Sequence, residues 1–287
     1  MRVPILILLN LLAVAVFAQD QTTPVALGKY SSDSDIMQHL YQHELNQTQT
    51  GALAANFPDM TRERAYAIQR TRLLAHSKLR AHVGWKLGWT RLAGPEDTLD
   101  PILGHYMSDR VYEEDNPVST RYFTAGSAAA EPEIVFYLNK DLKGPNVSRA
   151  EVIEAIEGVG IAMEFVNFRV TEPRSREHAI ADNGIAAGVV LGRARYSLDD
   201  LDFSTIEGRV TVNGDESNNG MATSIMGEDP IAALVWAANE LPKWGMHLKA
   251  GDFVVSGTVC VPLPVSAGDS AEIRFSGMGS LNASFVP

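Results

Sequence analysis

The chain has 287 residues, of which 45% are hydrophobic, and a formal net charge of −11. That is enough apolar material for a large core, in one big domain or in one domain with a small appendage. The acidic balance argues against nucleic acid and an anionic membrane surface, so an anionic ligand must be met by a local cation. With no transmembrane stretch after the first residues, no stable membrane insertion is expected. A single cysteine, Cys260, excludes an intramolecular disulfide framework and a thiolate-rich zinc site.

The first residues, "MRVPILILLNLLAVAVFAQD", read as a targeting segment. Arg2 gives a positive start, residues 5–17 form an apolar stretch interrupted by Asn10, and small residues precede a cleavage point after Ala18. Residues 1–18 are therefore expected to be a signal peptide, removed on export to the periplasm or the exterior; an uncleaved anchor is the alternative, and the run is short for a span. Residues 19–82 are expected to form a polar leader followed by helices. Ile36, Leu40 and Tyr41 share a side, and Thr61 is an N-cap before "RERAYAIQRTRLLAHSKL".

From residue 83 onward strands dominate. "GWKLGWT" alternates, with Trp85, Leu87 and Trp89 on one face and Lys86 flanked by Gly84 and Gly88 on the other. Residues 134–138 in "AAAEPEIVFYL" form a strand with Glu131 and Glu133 at its entrance. Ser148 and Glu151 make a capping box for a helix expected to end at Gly158 or Gly160. "GIAMEFVNFRV" and "GIAAGVVLG" read as strands, Asn213-Gly214 as a hairpin turn, and the stretch from Pro230 as a helix interrupted at Pro242. The end of the chain is β-rich, with turns at Gly251-Asp252 and Gly268-Asp269, and Cys260 reads as a buried structural thiol. The pattern is α+β, not a regular βαβ alternation. There is no Walker loop, HExxH or GxSxG, and "GVGIAM" lacks the third glycine and the helix of a dinucleotide loop.

Three carboxylates remain. Glu131 and Glu133 point to the same side of an extended chain. At a strand mouth they could be solvated and idle. Glu164, however, stands alone in an apolar strand, where a carboxylate is costly unless paired or metal-bound. A hard divalent cation, magnesium or manganese, is the natural shared partner of an all-oxygen set. Lys86 is either a surface lysine or, beside such a cation, a source of positive charge and protons, provided its pKa is lowered. Metal and lysine together suit a 2-oxo acid, whose enolate they would stabilise.

These segments resemble the fumarylacetoacetate hydrolase superfamily, in its branch of 2-keto-4-pentenoate hydratases and 2-oxohex-3-enedioate decarboxylases. "GWKLGWT", "EPEIVFYL", Glu164, "IADNGIAAGVVLG", "LVWAANELPKWGMHLKAGDFVVSGT" and "SGMGSLNASF" carry the likeness, from about Thr61 to the C-terminus. The resemblance implies a mixed, rolled β-sheet with flanking helices over residues 83–287 and a helical N-terminal part. It implies magnesium or manganese on Glu131, Glu133 and Glu164, an active-site Lys86, Thr258 near the substrate carboxylate, and Asp182 and Asn183 in a segment near the site. It further implies a homo-oligomer and a small 2-oxo acid substrate of the kind met in aromatic degradation. Two departures stand out: Ile102 occupies the place of an aspartate in the hydratases, and Asn167 stands where "E-x-x-D" would put another. The expected activity is hydration of a 2-hydroxy-2,4-dienoate to a 4-hydroxy-2-oxo acid. The alternatives are decarboxylation of a 2-oxo-enedioate, or an exported, non-catalytic 2-oxo-acid-binding protein.

Overall fold

The computed structural model describes residues 23–92 and 98–287, so the expected signal peptide at residues 1–18 lies outside the described residues. Three helices come first: α1 (Asp33–Leu45), α2 (Ala52–Asn56) and α3 (Arg62–His76). Strands β1 (His82–Gly88), β2 (Ile102–Met107), β3 (Val111–Glu113), β4 (Val118–Ser119) and β5 (Ala128–Leu138) follow. Then come α4 (Arg149–Ala155), β6 (Ile156–Asn167), α5 (Arg176–Ala181), β7 (Ala186–Leu191), β8 (Glu207–Val212), β9 (Glu216–Met221) and α6 (Pro230–Glu240). The chain closes with β10 (Phe253–Thr258), β11 (Leu263–Pro264), β12 (Ser270–Phe275) and β13 (Gly279–Val286).

The helices start where side chains satisfy their free N–H groups. Ser32 caps α1, and Thr61 caps α3 by accepting from the Arg64 N–H at 3.3 Å. Ile36 and Leu40 are buried and the Tyr41 ring packs edge-on against His76 at 4.8 Å. Asp229 caps α6 with Pro230 in its first turn, and Pro242 opens a short tighter turn over Leu241–Trp244.

The strands form two sheets. The larger is mixed and curled, in the order β2-β1-β10-β5-β6-β7-β3 with β11 pairing β5. The smaller runs β4-β13-β12-β8-β9 and contains the β8–β9 hairpin, whose turn residues Asn213 and Gly214 have φ of 54° and 79°, a type I′ turn. This is the expected rolled, mixed-sheet architecture. The smaller sheet packs over β5 and β6, while α6 packs on β10 and α3 and α5 on β2. The two central strands are thereby covered on both faces and read as continuous apolar runs instead of alternating.

Three local expectations are corrected. The helix capped by Ser148 ends at Ala155; Gly158 and Gly160 lie inside β6. Their missing side chains let residues 194–196 run against the strand, where Val159 and Tyr196 exchange backbone hydrogen bonds of 3.0 and 2.8 Å. Trp89 does not share the packing face of β1: the strand stops at Gly88 and Trp89 turns with φ 51°, leaving Trp85 and Leu87 to pack. Finally, Glu131 and Glu133 are not at a strand entrance, because β5 begins at Ala128 and carries both in its interior.

Candidate active site

Register brings the carboxylates together. Along the antiparallel β5–β6 ladder Glu131 stands directly opposite Glu164 and Glu133 opposite Ala162, so the three side chains share one face. One carboxylate oxygen from each lies within 4.8 Å of the others. Glu133 and Glu164 are 0% exposed and Glu131 9%, which removes the reading of solvated, idle acids.

Neighbouring strands set the orientation of each group. Between Val255 and Thr258 the pairing of β10 with β5 slips, and the Gly257 N–H turns to donate to Glu133 Oε2 at 2.8 Å. Gly257 has φ 91°, and a Cβ there would fall 2.0 Å from Thr90 Oγ, so only glycine fits. Tyr106 donates its hydroxyl to Glu164 Oε1 at 2.7 Å, and Lys86 Nζ sits 2.9 Å from the same oxygen while donating to the Gly184 carbonyl at 3.0 Å. Lys86 can lie flat because Gly104, its register partner on β2, has no side chain: a Cβ there would be 2.7 Å from Lys86 Cγ. Of the two glycines flanking Lys86 in sequence, Gly88 leaves open space beside it, but the place beside Gly84 is filled by the Phe253 ring.

Glu133 Oε1 and Glu164 Oε2 are buried with no protein partner. Burial, followed by the charge of Glu164, pushes the Glu131 carboxyl up to about 8, and burial with both neighbours holds Glu133 well above the usual range. Burial would lower the Lys86 pKa, but the three carboxylates reverse that and hold it above its ordinary value. One lysine thus does not balance three acids. Two orphaned oxygens, an all-carboxylate donor set and a shortage of positive charge fit a hard divalent cation held by Glu131, Glu133 and Glu164.

Outside the acids, a cavity of about 270 Å³ opens against Lys86 and Glu131. Thr90, Arg91 and Thr258 are its polar walls, and Trp89, Phe168 and Ile185 are among its apolar ones. Thr90 Oγ is buried without a partner, whereas Thr258 Oγ donates to the Cys260 carbonyl at 3.0 Å. Cys260 is buried, and its thiol is pushed up to about 11 by that burial, which leaves it inert.

The other expected residues are placed differently. Asp182 is paired with Arg169 Nε at 2.9 Å, and the Asn183 amide exchanges hydrogen bonds of 3.0 Å with the backbone of His105. Their side chains hold the scaffold, and the segment meets the site through the Gly184 carbonyl. Ile102 is fully buried opposite Gly88. Asn167 lies three residues beyond Glu164, on the opposite face of the sheet. There it donates to the Tyr122 carbonyl at 3.2 Å and accepts from the Thr124 N–H at 3.1 Å. An aspartate could not make the first of these bonds. Tyr106, Thr90 and Arg91 were not foreseen. The only sequence hint for the last two was their place just after the lysine motif.

Behind β2 lies a second buried group of charges, in which Glu44 joins Arg72 and Arg110. Burial pushes His76 down to about 3 and His105 well below its usual value, so both are neutral in the fold. Unfolded, they would protonate near pH 6.5, so they contribute stability that is complete above that pH and lost as pH falls toward the folded values. Asp182, raised to about 6 by burial, works in the opposite sense. With saturating magnesium holding the three glutamates ionised, the melting temperature should fall as pH drops from 7 to 5, each histidine adding a slope of up to ~1.4 kcal/mol per pH unit. A flat profile by circular dichroism would contradict the burial of neutral rings.

Residues 83–286 match the fumarylacetoacetate (FAA) hydrolase C-terminal family. The chain therefore belongs to the fumarylacetoacetate hydrolase family, and within it to the hydratase and decarboxylase branch. It is 30% identical over 261 residues to a 2-oxo-hept-4-ene-1,7-dioate hydratase of Escherichia coli, covering 88% of this chain and 97% of that protein. It is likewise 30% identical over 254 residues to a 2-hydroxyhexa-2,4-dienoate hydratase of Comamonas testosteroni, covering 87% and 96%. Among solved structures, 4-oxalocrotonate decarboxylase from Pseudomonas putida G7, complexed with magnesium and adipate, superposes with a TM-score of 0.80 at 27% identity, covering 88% of this chain and 97% of that one.

Proposed function

We propose that this chain is a magnesium- or manganese-dependent hydratase that adds water to a 2-hydroxy-2,4-dienoate, or its 2-oxo-4-enoate form, to give a 4-hydroxy-2-oxo acid. The observation that carries the reading is the trio Glu131, Glu133 and Glu164, buried with two orphaned oxygens beside a lysine and a cavity. The hydratase relatives support hydration, and the magnesium-bound decarboxylase structure supports the metal.

When bound, the metal supplies a Lewis acid for the carboxylate and 2-oxo oxygen of the substrate. Every other part falls to this chain's own residues. Lys86 places a positive charge beside Glu164, where negative charge develops on the substrate's oxygen. The titratable side chains lining the cavity are Lys86, Arg91 and Glu131. The carboxylates hold Lys86 above its ordinary pKa and not below it as a base would need, so Lys86 acts as a protonated donor toward the carbon chain. The free Thr90 hydroxyl is placed to hold a water or a substrate oxygen. Trp89, Phe168 and Ile185 exclude bulk water from the carbon chain.

A specific observation favours the runner-up, decarboxylation of a 2-oxo-enedioate. Ile102 is buried and apolar at the place where the sequence resemblance implies an aspartate in the hydratases, and loss of carbon dioxide needs an electron sink and a proton donor but no base to activate water. One experiment separates the readings: incubation of the metal-loaded protein with a 2-hydroxy-2,4-dienoate and with a 2-oxo-3-enedioate, followed by NMR. A 4-hydroxy-2-oxo acid is the expected product. Carbon dioxide release from the dioate alone would establish the decarboxylase. Thermal stabilisation without any product would leave a binding protein. Activity should vanish on chelation and return with magnesium.

A further inference from the structure

We propose that the small basic cavity behind β2 binds one halide ion, chloride under ordinary conditions, which completes the charge balance between the N-terminal helices and the sheet. This cavity, of about 10 Å³, is separate from the one at the three glutamates. Helix α3 supplies Arg72 and His76 to its wall, β2 supplies His105, and the turn before β3 supplies Arg110. All four are buried: Arg72 is 4% exposed, Arg110 8%, His76 3% and His105 2%.

These side chains hold more donors than the protein uses. Arg72 Nε and Nη1, Arg110 Nη1 and both ring nitrogens of His105 are buried without a hydrogen-bond partner. A neutral imidazole keeps one N–H, so His105 has a bond to give and nothing in the protein to receive it. Few buried polar atoms of a folded protein are left in that state, and here they belong to the walls of a single void. After burial itself, the charge of Arg72 is the main influence that lowers both histidines, as expected of groups facing one small space.

The charges point the same way. Arg72 and Arg110 share Glu44, two guanidinium groups on one carboxylate. Asp109, also on the wall, is paired with Arg80 Nε at 3.0 Å, and the nearby Asp182 with Arg169 Nε at 2.9 Å. One buried positive charge is left over, and the methyl groups of Ala186 and Ala187 opposite offer it nothing. A trapped water could take the free bonds, but it carries no charge to offset a guanidinium out of water. Size selects the ion: about 10 Å³ holds one water-sized particle, so a monatomic anion fits and a carboxylate or phosphate does not. Its contacts would come from α3, β2 and the turn before β3, with α1 joined through Glu44.

The test is urea unfolding of the magnesium-loaded full chain at pH 7, as sodium chloride replaces sodium methanesulfonate at constant ionic strength. Above the dissociation constant, one site should raise the folding constant about tenfold for each tenfold rise in chloride. Arg72→Gln should flatten that dependence, and wild-type crystals soaked in bromide should give one anomalous peak in the cavity. If Arg72→Gln does not fold, the chloride slope and the bromide peak of the wild type decide without it. Stability indifferent to chloride, a slope that survives in Arg72→Gln, or a cavity without bromide would each overturn the proposal.

Discussion

Glu133→Gln should abolish magnesium binding and turnover together. Glu133 is fully buried and one of its oxygens is already committed to the Gly257 N–H, so the other is the one that can meet a cation. Glutamine is nearly isosteric and can accept the same N–H through its carbonyl. It then presents an amide NH₂ where the ion would sit. The loss in turnover should be on the order of 10³-fold or more, the scale of removing a preorganised electrostatic contact together with part of the metal's hold. The metal-free variant should melt no lower than metal-free wild type, because one member of a buried like-charge group has been neutralised. Calorimetry with magnesium, EPR with manganese and a melting curve read the three outcomes. Full activity in Glu133→Gln would remove the metal centre from the mechanism.

Glu44→Gln should produce the largest loss of stability without touching the site. Glu44 lies on α1, is fully buried, and joins Arg72 of α3 to Arg110 in the turn before β3. Breaking a buried pair from one side leaves two guanidinium groups without a counter-charge and costs about 3–5 kcal/mol. The exposed pair Arg193–Asp115 is the control, since Asp115→Asn should cost less than ~1 kcal/mol. Urea unfolding of the two variants reads the contrast. Magnesium affinity at low temperature should be unchanged in both. A loss below ~1 kcal/mol in Glu44→Gln would mean that the N-terminal helices are not clamped to the sheet through this residue.

Much of this was legible in the sequence because it is local. The Ser148 and Thr61 caps, the Asn213-Gly214 turn and the break at Pro242 follow from residue types at fixed offsets. Glu164 was legible for another reason: a lone acid in an apolar run demands an explanation wherever the strand sits. Periodicity could not supply the partners. Tyr106 reaches Glu164 from β2, and the Gly257 N–H reaches Glu133 through a slip in β10, contacts spanning 58 and 124 positions in sequence. The way residues 182–184 meet the site has the same origin. A segment can border a site while its side chains face away, and only coordinates reveal that its carbonyl is the contributing group.

The pairing of Glu131 with Glu164 has a consequence for how this chain can change. Each strand residue faces one side of the sheet or the other, so inserting or deleting a single residue between Ala128 and Glu133 would move a ligand to the far side at a stroke. The chemistry of the centre can therefore be kept or lost in one event, with no graded route between. The wall built by Trp89 and Arg91 lies past the end of β1 and is under no such constraint. Lineages and engineers alike can retune what the pocket accepts while leaving the reacting machinery alone.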